Sequence, residues 1–241
     1  MSTLSPSPQG SSRGLAEDEP RRYGDTLVRE LAVAGALEFT PAVYPDERGA
    51  FVSPFQEPAF LQAHGGPLFE VAQLSHSRSR RGVVRGVHYT LTDDRAPANA
   101  KYVHCPYGEV LDLVVDLREG SPTFGAWDAV VLDADHCRAV YLPPGVGHAF
   151  VSLRDDSVMS YLLAASYAPA QERALSALDP ALGLPIPADI EPLLSARDLA
   201  APTLAEARAA GQLPVHRPTR PDPHHPATGG RVPNHPAAQE S

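Results

Sequence analysis

Lysine is almost missing from this 241-residue chain: of its 20 basic residues, 19 are arginine and one, Lys101, is lysine. With abundant alanine and proline, that bias reads as GC-rich bacterial coding. Cysteine is scarce as well. Cys105 and Cys137 lie in apolar, strand-like stretches without CxxC spacing, which points to two reduced thiols in a cytosolic protein and excludes a disulfide scaffold. No run of about 18 apolar residues exists, so no membrane helix is expected. The opening MSTLSPSPQG lacks the apolar stretch of a signal peptide. Net positive charge is also lacking. The formal charge is −9, with four Arg against five acids in residues 1–30 and three Arg against two acids in residues 212–241, so the section between carries all of it. Such a body repels a polyphosphate backbone, which argues against nucleic acid as the main partner. An anionic small molecule would need a local cluster of cations.

Proline, by contrast, is abundant. Average usage of about 5% would give ~12, and the chain has 26. Seven fall in residues 212–241 and three in residues 1–30. Interior proline costs a helix about 3 kcal/mol, so a helical bundle is excluded. Residues 1–30, rich in Ser, Pro, Gly and charge, are expected to be flexible, and residues 212–241 to form a disordered Pro/His-rich tail whose four histidines bind metal weakly at most. Residues 31–211 are left as one domain, and a chain that is 43% apolar overall can form a sizeable core there.

Within that domain, short apolar runs recur between turn signals: 49–55, 69–75, 82–89, 100–105, 107–117, 127–132, 137–142, 148–153 and 157–163. They are rich in Val, Leu and Tyr, and several alternate. This predicts an all-β sandwich or barrel. Helix is expected only late, between Pro192 and Ala209, where an imperfect apolar stripe is interrupted by Pro202.

Pro143-Pro144-Gly145-Val146-Gly147-His148 resembles the PxGxxH turn of a cupin jelly roll. A Pro-Gly reversal at the barrel mouth lets the following histidine point inward. A metal-binding cupin adds an HxH pair and a glutamate from an earlier strand. The matching strand, Arg85-Gly86-Val87-His88-Tyr89, has one histidine, so no metal site is expected. Arg85 and His88 lie three apart, and strict alternation would place them on opposite faces. Gly86 allows a bulge that turns both inward.

The stretch from Gln73 to Phe150 resembles the dTDP-4-dehydrorhamnose 3,5-epimerase family of cupin-fold sugar-nucleotide enzymes. The segments that carry the likeness are Arg80 to Tyr89, Ala100 to Val103, Gly108 to Arg118, Gly120 to Gly125 and Pro143 to Phe150. Weaker similarity reaches back to Asp46-Glu47-Arg48-Gly49 and forward through Tyr161, Leu178-Asp179-Pro180 and Leu194 to Asp198, or about residues 36–205 in all. The resemblance implies proton transfer beside the ketone of a dTDP-linked 4-keto-6-deoxyhexose. The 4-ketone acidifies C3 and C5, a base removes a proton, and an acid returns one to the opposite face. That chemistry uses neither metal nor redox cofactor. The resemblance makes His88 the base, Asp179 the carboxylate that orients it, Tyr161 the acid and Lys101 the cation at the enolate oxygen. It assigns substrate contacts to Arg48, Phe51, Gln73, Arg85 and His148, and base stacking to Tyr167. It also implies a homodimer, in which the N-terminal strand can be exchanged between subunits; the cytoplasmic placement rests on the cysteines.

Several positions depart from the family pattern. Ser75 replaces an asparagine, Thr90 a glutamine, Ser53 an acidic residue and Leu184 a tryptophan, and Ser166-Tyr167 stands for paired aromatics. Such departures are typical of actinobacterial antibiotic-sugar enzymes with 3-only, 5-only or 3,5-epimerisation. The same fold also serves sugar-nucleotide 3,4-ketoisomerases, metal-dependent oxygenases and non-catalytic nucleotide-sugar binders.

Overall fold

The computed structural model describes residues 19–91 and 99–217. Its strands in chain order are β1 (Arg21–Tyr23), β2 (Thr26–Glu30), β3 (Leu37–Thr40), β4 (Val43–Asp46) and β5 (Gly49–Val52). After helix α1 (Glu57–His64) come β6 (Gln73–Ser79), β7 (Val84–Thr90), β8 (Lys101–Tyr107), β9 (Glu109–Val115) and β10 (Trp127–Asp133). The chain continues through β11 (Ala139–Leu142), β12 (Gly147–Ser152), β13 (Ser157–Leu163) and β14 (Glu172–Ala174) to the short helices α2 (Ala196–Leu199) and α3 (Leu204–Ala209).

Two antiparallel sheets form the sandwich. One has seven strands in the order β1-β2-β3-β11-β8-β13-β6, the other five in the order β10-β9-β12-β7-β14. Strands β4 and β5 form a separate exposed hairpin. The alternating apolar runs explain the layering. Val103 and Cys105, Val140 and Leu142, and Met159 point from the larger sheet into the same core as Val110, Val114, Val130, Leu132 and Phe150 from the smaller one. Burying such side chains contributes about 1.5–3 kcal/mol each. The opposite residues of the smaller sheet, among them Val84, Val87, Tyr89, Leu113 and Val151, pack under the C-terminal segment through Leu175, Leu182, Ile190, Ala207 and Leu213. The outer side of the larger sheet is covered by α1, where Phe60 packs on Phe39, Tyr102 and Tyr141. The result is the all-β jelly roll expected from the sequence, a cupin-like sandwich.

Three expectations are corrected. The flexible reading of residues 1–30 fails from Arg21 onward, because β1 and β2 are paired into the larger sheet and Val28 is buried. The tail boundary at 212 is too early. Leu213 is buried, Tyr89 Oη donates to Gln212 O, and His216 N donates to Glu119 O. The run at 69–75 becomes strand only from Gln73, since the inward residues of β6 are Gln73, Ser75, Ser77 and Ser79, which apolar periodicity does not detect. Residues 1–18 and 218–241, including His224, His225 and His235, lie outside the described residues.

The late helix splits at Pro202 as its sequence requires. Ser195 caps α2 by accepting from Asp198 N, and Thr203 with Glu206 forms a capping box on α3. Near the barrel mouth, Arg118 chelates the Asp116 carboxylate at 2.9 and 2.8 Å and donates to Ala34 O, while Ser121 and Thr123 bond the same carboxylate. Burial alone would raise the pKa of Asp116, but these bonds outweigh it and hold the group below the usual carboxylate range.

Candidate active site

The pairing of β7 with β12 carries the irregularity anticipated at Gly86. His148 faces His88 and Phe150 faces Arg85, so three steps on β7 span two on β12. The extra residue shifts the alternation. Val84 and Val87 both turn to the outer layer, and Arg85 and His88 share the other face. Glycine is required there. Gly86 has φ +117°, and a Cβ would lie 2.5 Å from His148 O and 2.7 Å from Ala149 Cα.

His88 Nε2 lies 2.7 Å from Asp198 Oδ1, and Asp198 Oδ2 accepts from Ser195 Oγ at 2.9 Å. The Asp198 side chain is 4% exposed, so its charge is committed to this pair. Burial pushes the His88 pKa below its usual value. Asp198 pulls it back up, and the positive charges of Lys101 and Arg197 lower it further. His88 is therefore neutral near pH 7. The expected partner, Asp179, is a correction. Its Oδ1 accepts from Ala181 N at 2.9 Å and its Oδ2 from Leu204 N at 2.8 Å, so it ties a turn to the start of α3. Those backbone bonds consume both oxygens, and Asp198 takes the place beside the histidine.

Next to His88, His148 bonds Asp112 through Nε2 to Oδ1 at 2.5 Å; both side chains are buried, and the other Asp112 oxygen has no hydrogen-bond partner among the described residues. Facing this wall, Tyr161 on β13 presents its ring edge-on to His148, 6.0 Å between centroids, and its hydroxyl stands 3.2 Å from Ser77 Oγ. Burial pushes the Tyr161 pKa well above its ordinary value, keeping the phenol protonated. Lys101 opens β8 on the same sheet. Burial lowers its pKa, opposed by the nearby carboxylates of Glu172 and Asp112. Glu172 also accepts from Thr90 Oγ1 at 3.1 Å.

At one end of the site Gln73 accepts from Tyr167 N at 2.9 Å and donates to Ser75 Oγ at 2.8 Å, which fixes the segment carrying the exposed Tyr167 ring. Arg85 donates to Ser79 Oγ at 3.2 Å and keeps its guanidinium accessible. Thus His88, Lys101, Tyr161, His148, Arg85 and Gln73 lie on strands of the sandwich, and Tyr167 on the segment after β13 that Gln73 holds. Arg48 and Phe51 do not. They sit on the β4–β5 hairpin, where Arg48 pairs with Asp46 and Phe51 is 68% exposed. Among the described residues no three His, Cys, Asp or Glu side chains converge as a metal site would need.

Sequence reading missed Asp198, Asp112, Ser77 and Glu172 as site residues. Asp112 left a trace: one acid on the inward side of an apolar strand, in phase with Val110 and Val114. Asp198 lay in the Leu194–Asp198 segment of weak similarity, but its partner is set by the path of the C-terminal segment.

A family model described as dTDP-4-dehydrorhamnose 3,5-epimerase matches residues 30–206. The chain is 48% identical over 190 residues to dTDP-4-dehydro-6-deoxyglucose 3-epimerase of Streptomyces bikiniensis, spanning 79% of this chain and 95% of that one. It is 48% identical over 188 residues to dTDP-4-dehydrorhamnose 3,5-epimerase of Mycolicibacterium smegmatis, spanning 78% and 90%. Among solved structures, NovW, a 4-keto-6-deoxy sugar epimerase from the novobiocin gene cluster of Streptomyces spheroides, superposes with a TM-score of 0.75 at 43% identity, covering 84% of this chain and 98% of that one. The 3'-monoepimerase ChmJ of Streptomyces bikiniensis, in complex with dTDP-quinovose, gives 0.72 at 48% identity, covering 77% and 91%. Matched across most of its barrel by sequence and by shape, the chain belongs to the dTDP-4-dehydrorhamnose 3,5-epimerase family.

Proposed function

We propose that this protein epimerises a dTDP-linked 4-keto-6-deoxyhexose at C3, at C5 or at both, in deoxysugar biosynthesis. The observation that carries the reading is the pair of facing walls: His88 with Asp198 behind it on the five-stranded sheet, Tyr161 on the seven-stranded one. Inversion needs a base on one face of a sugar ring and an acid on the other.

In this mechanism His88 takes the proton from the carbon beside the ketone. Asp198 stabilises the imidazolium that results, and the electron pair moves to the ketone oxygen as an enolate. The Lys101 ammonium faces the negative charge that develops there. Tyr161 then delivers a proton to the opposite face of the same carbon. His148, held by Asp112, stands beside His88 on the wall that faces Tyr161. Arg85 suits the diphosphate, since a guanidinium bonds two oxygens at once. Tyr167, anchored by Gln73, offers a flat ring to the thymine.

The hairpin supports a homodimer. Arg48, Phe51 and Tyr44 are exposed on it, and we assign them to the active site of a second copy. No helix among the described residues is long and apolar enough to cross a membrane. The free thiols Cys105 and Cys137 suit the cytoplasm, where we place the enzyme.

Incubation with dTDP-4-keto-6-deoxyglucose in D₂O tests the proposal. Deuterium is expected at C3, C5 or both of an inverted product, and the configuration at each labelled carbon names the one inverted. His88→Ala is expected to lose that exchange; an unchanged rate would remove His88 from the base role.

A further inference from the structure

The inner face of β6 is made by every second residue, and each of its serines holds a side chain of the site. Ser75 bonds Gln73 at 2.8 Å, Ser77 stands 3.2 Å from the Tyr161 hydroxyl, and Ser79 bonds Arg85 at 3.2 Å. Strand β6 is the edge of the larger sheet, and its alternate residues Leu74, His76 and Arg78 face solvent. Tyr161 pairs directly with Ser75 in the β6–β13 register, which places Ser77 two residues along the same face. Ser77 is the one side chain hydrogen-bonded to Tyr161 among the described residues.

We propose that Ser77 is the positioning residue for the acid step: its hydroxyl donates to Tyr161 Oη, aims the phenol at the sugar and stabilises the phenolate left after proton delivery. The inference rests on the epimerase reading of the site. When Tyr161 gives up its proton, its O–H bond breaks as the new C–H bond forms from the enolate electron pair. The negative charge left on Tyr161 Oη is buried. The Asp112 carboxylate opposes that charge, while Arg85 and Ser77 favour it. A hydrogen bond to an ionised group is about twice as strong as a neutral one, so this bond tightens when it is needed. His88 then loses its proton to water and Tyr161 regains one from water. No net proton or electron is consumed.

A second outcome competes with inversion. The protonated His88 can exchange with solvent and return a deuteron to the face it came from, giving labelled but uninverted substrate. The ratio of inverted product to labelled, uninverted substrate therefore reads the Tyr161 arm by itself. A general loss of structure lowers both quantities together.

The experiment measures both from dTDP-4-keto-6-deoxyglucose in D₂O with the full chain. Ser77→Ala is expected to lower the ratio about tenfold, with labelling of recovered substrate within about twofold of wild type. Ser77→Thr, which keeps the hydroxyl on a residue suited to a strand, is expected to restore the ratio to within about threefold. Should Ser77→Ala fail to fold, Ser77→Cys, a weaker donor of similar size, is expected to give an intermediate ratio. An unchanged ratio in Ser77→Ala or Ser77→Cys, or one that Ser77→Thr does not restore, overturns the assignment while leaving the epimerase reading intact. Absence of label in any product of the wild-type protein overturns both.

Discussion

Asp198 reaches His88 across 110 residues of chain, with 2.7 Å between Oδ1 and Nε2, while Asp179 spends both oxygens on backbone amides. The two acids are thus expected to respond differently to the same change. Asp198→Asn should lower kcat by about a hundredfold or more, the scale of a disabled general base, with little change in melting temperature. Asp179→Asn should leave turnover near wild type and cost about 1–2 kcal/mol of stability, as loss of a cap does. Turnover assays beside thermal melts distinguish them, and a reversal of the two effects would return the role to Asp179.

The His88 shift fixes the sign of the pH dependence. Only neutral His88 accepts a proton, and its pKa in the folded protein lies below the usual 6.5. The acid limb of kcat/KM should therefore fall below pH 6.5, and full activity should persist at neutrality. Asp198→Asn removes an interaction that raises the pKa, so its residual activity should show a limb at still lower pH. For stability, the unfolded chain takes up this proton more readily than the folded one, so the His88 contribution turns unfavourable as pH drops through 6.5. A pH–rate profile of both proteins, with the limb moving upward in the variant, would refute the arrangement.

His148 and Asp112 form a buried pair, joined through Nε2 and Oδ1. Removing either member alone strands a polar group. His148→Ala is expected to destabilise by about 3–5 kcal/mol. The double variant Asp112→Ala/His148→Ala should be less destabilised than the sum of the single ones, because it strands nothing. Denaturant titrations of the four proteins measure the coupling. Strict additivity would mean that the pair is not electrostatically linked.

Gly86→Ala must accommodate a Cβ 2.5 Å from a backbone oxygen at φ +117°. Strain and clash together should cost about 3 kcal/mol or more. Because β7 carries His88, any folded remainder should also turn over slowly. A melting temperature within about 2 °C of wild type would show that the strand yields easily.

The sandwich was legible because its core strands alternate. Val103 and Cys105, or Val110 and Val114, announce an inward face in sequence. Strand β6 was not, since its inward residues are Gln73 and three serines, which hydrogen-bond Gln73, Tyr161 and Arg85. Helix α1 hides for a related reason: its cues are Pro58 at the start and left-handed Gly65 at the end, on a segment too short to show a stripe. In the site, the bulge at Gly86 and the inward turn of His88 could be read locally. The choice between Asp179 and Asp198 could not. Both sit near the C-terminal segment, and only its course over the five-stranded sheet, fixed by Leu175, Ile190 and Ala207, decides which carboxylate meets the histidine.

The extra residue in β7 makes chain length itself a determinant of the site. Deleting Val87 would return the strand to strict alternation, and Arg85 and His88 could then share the inner face only by being two apart. Grafting this site onto another barrel therefore requires transferring a spacing defect along with the side chains, since the same residues set on a regular strand would face opposite ways.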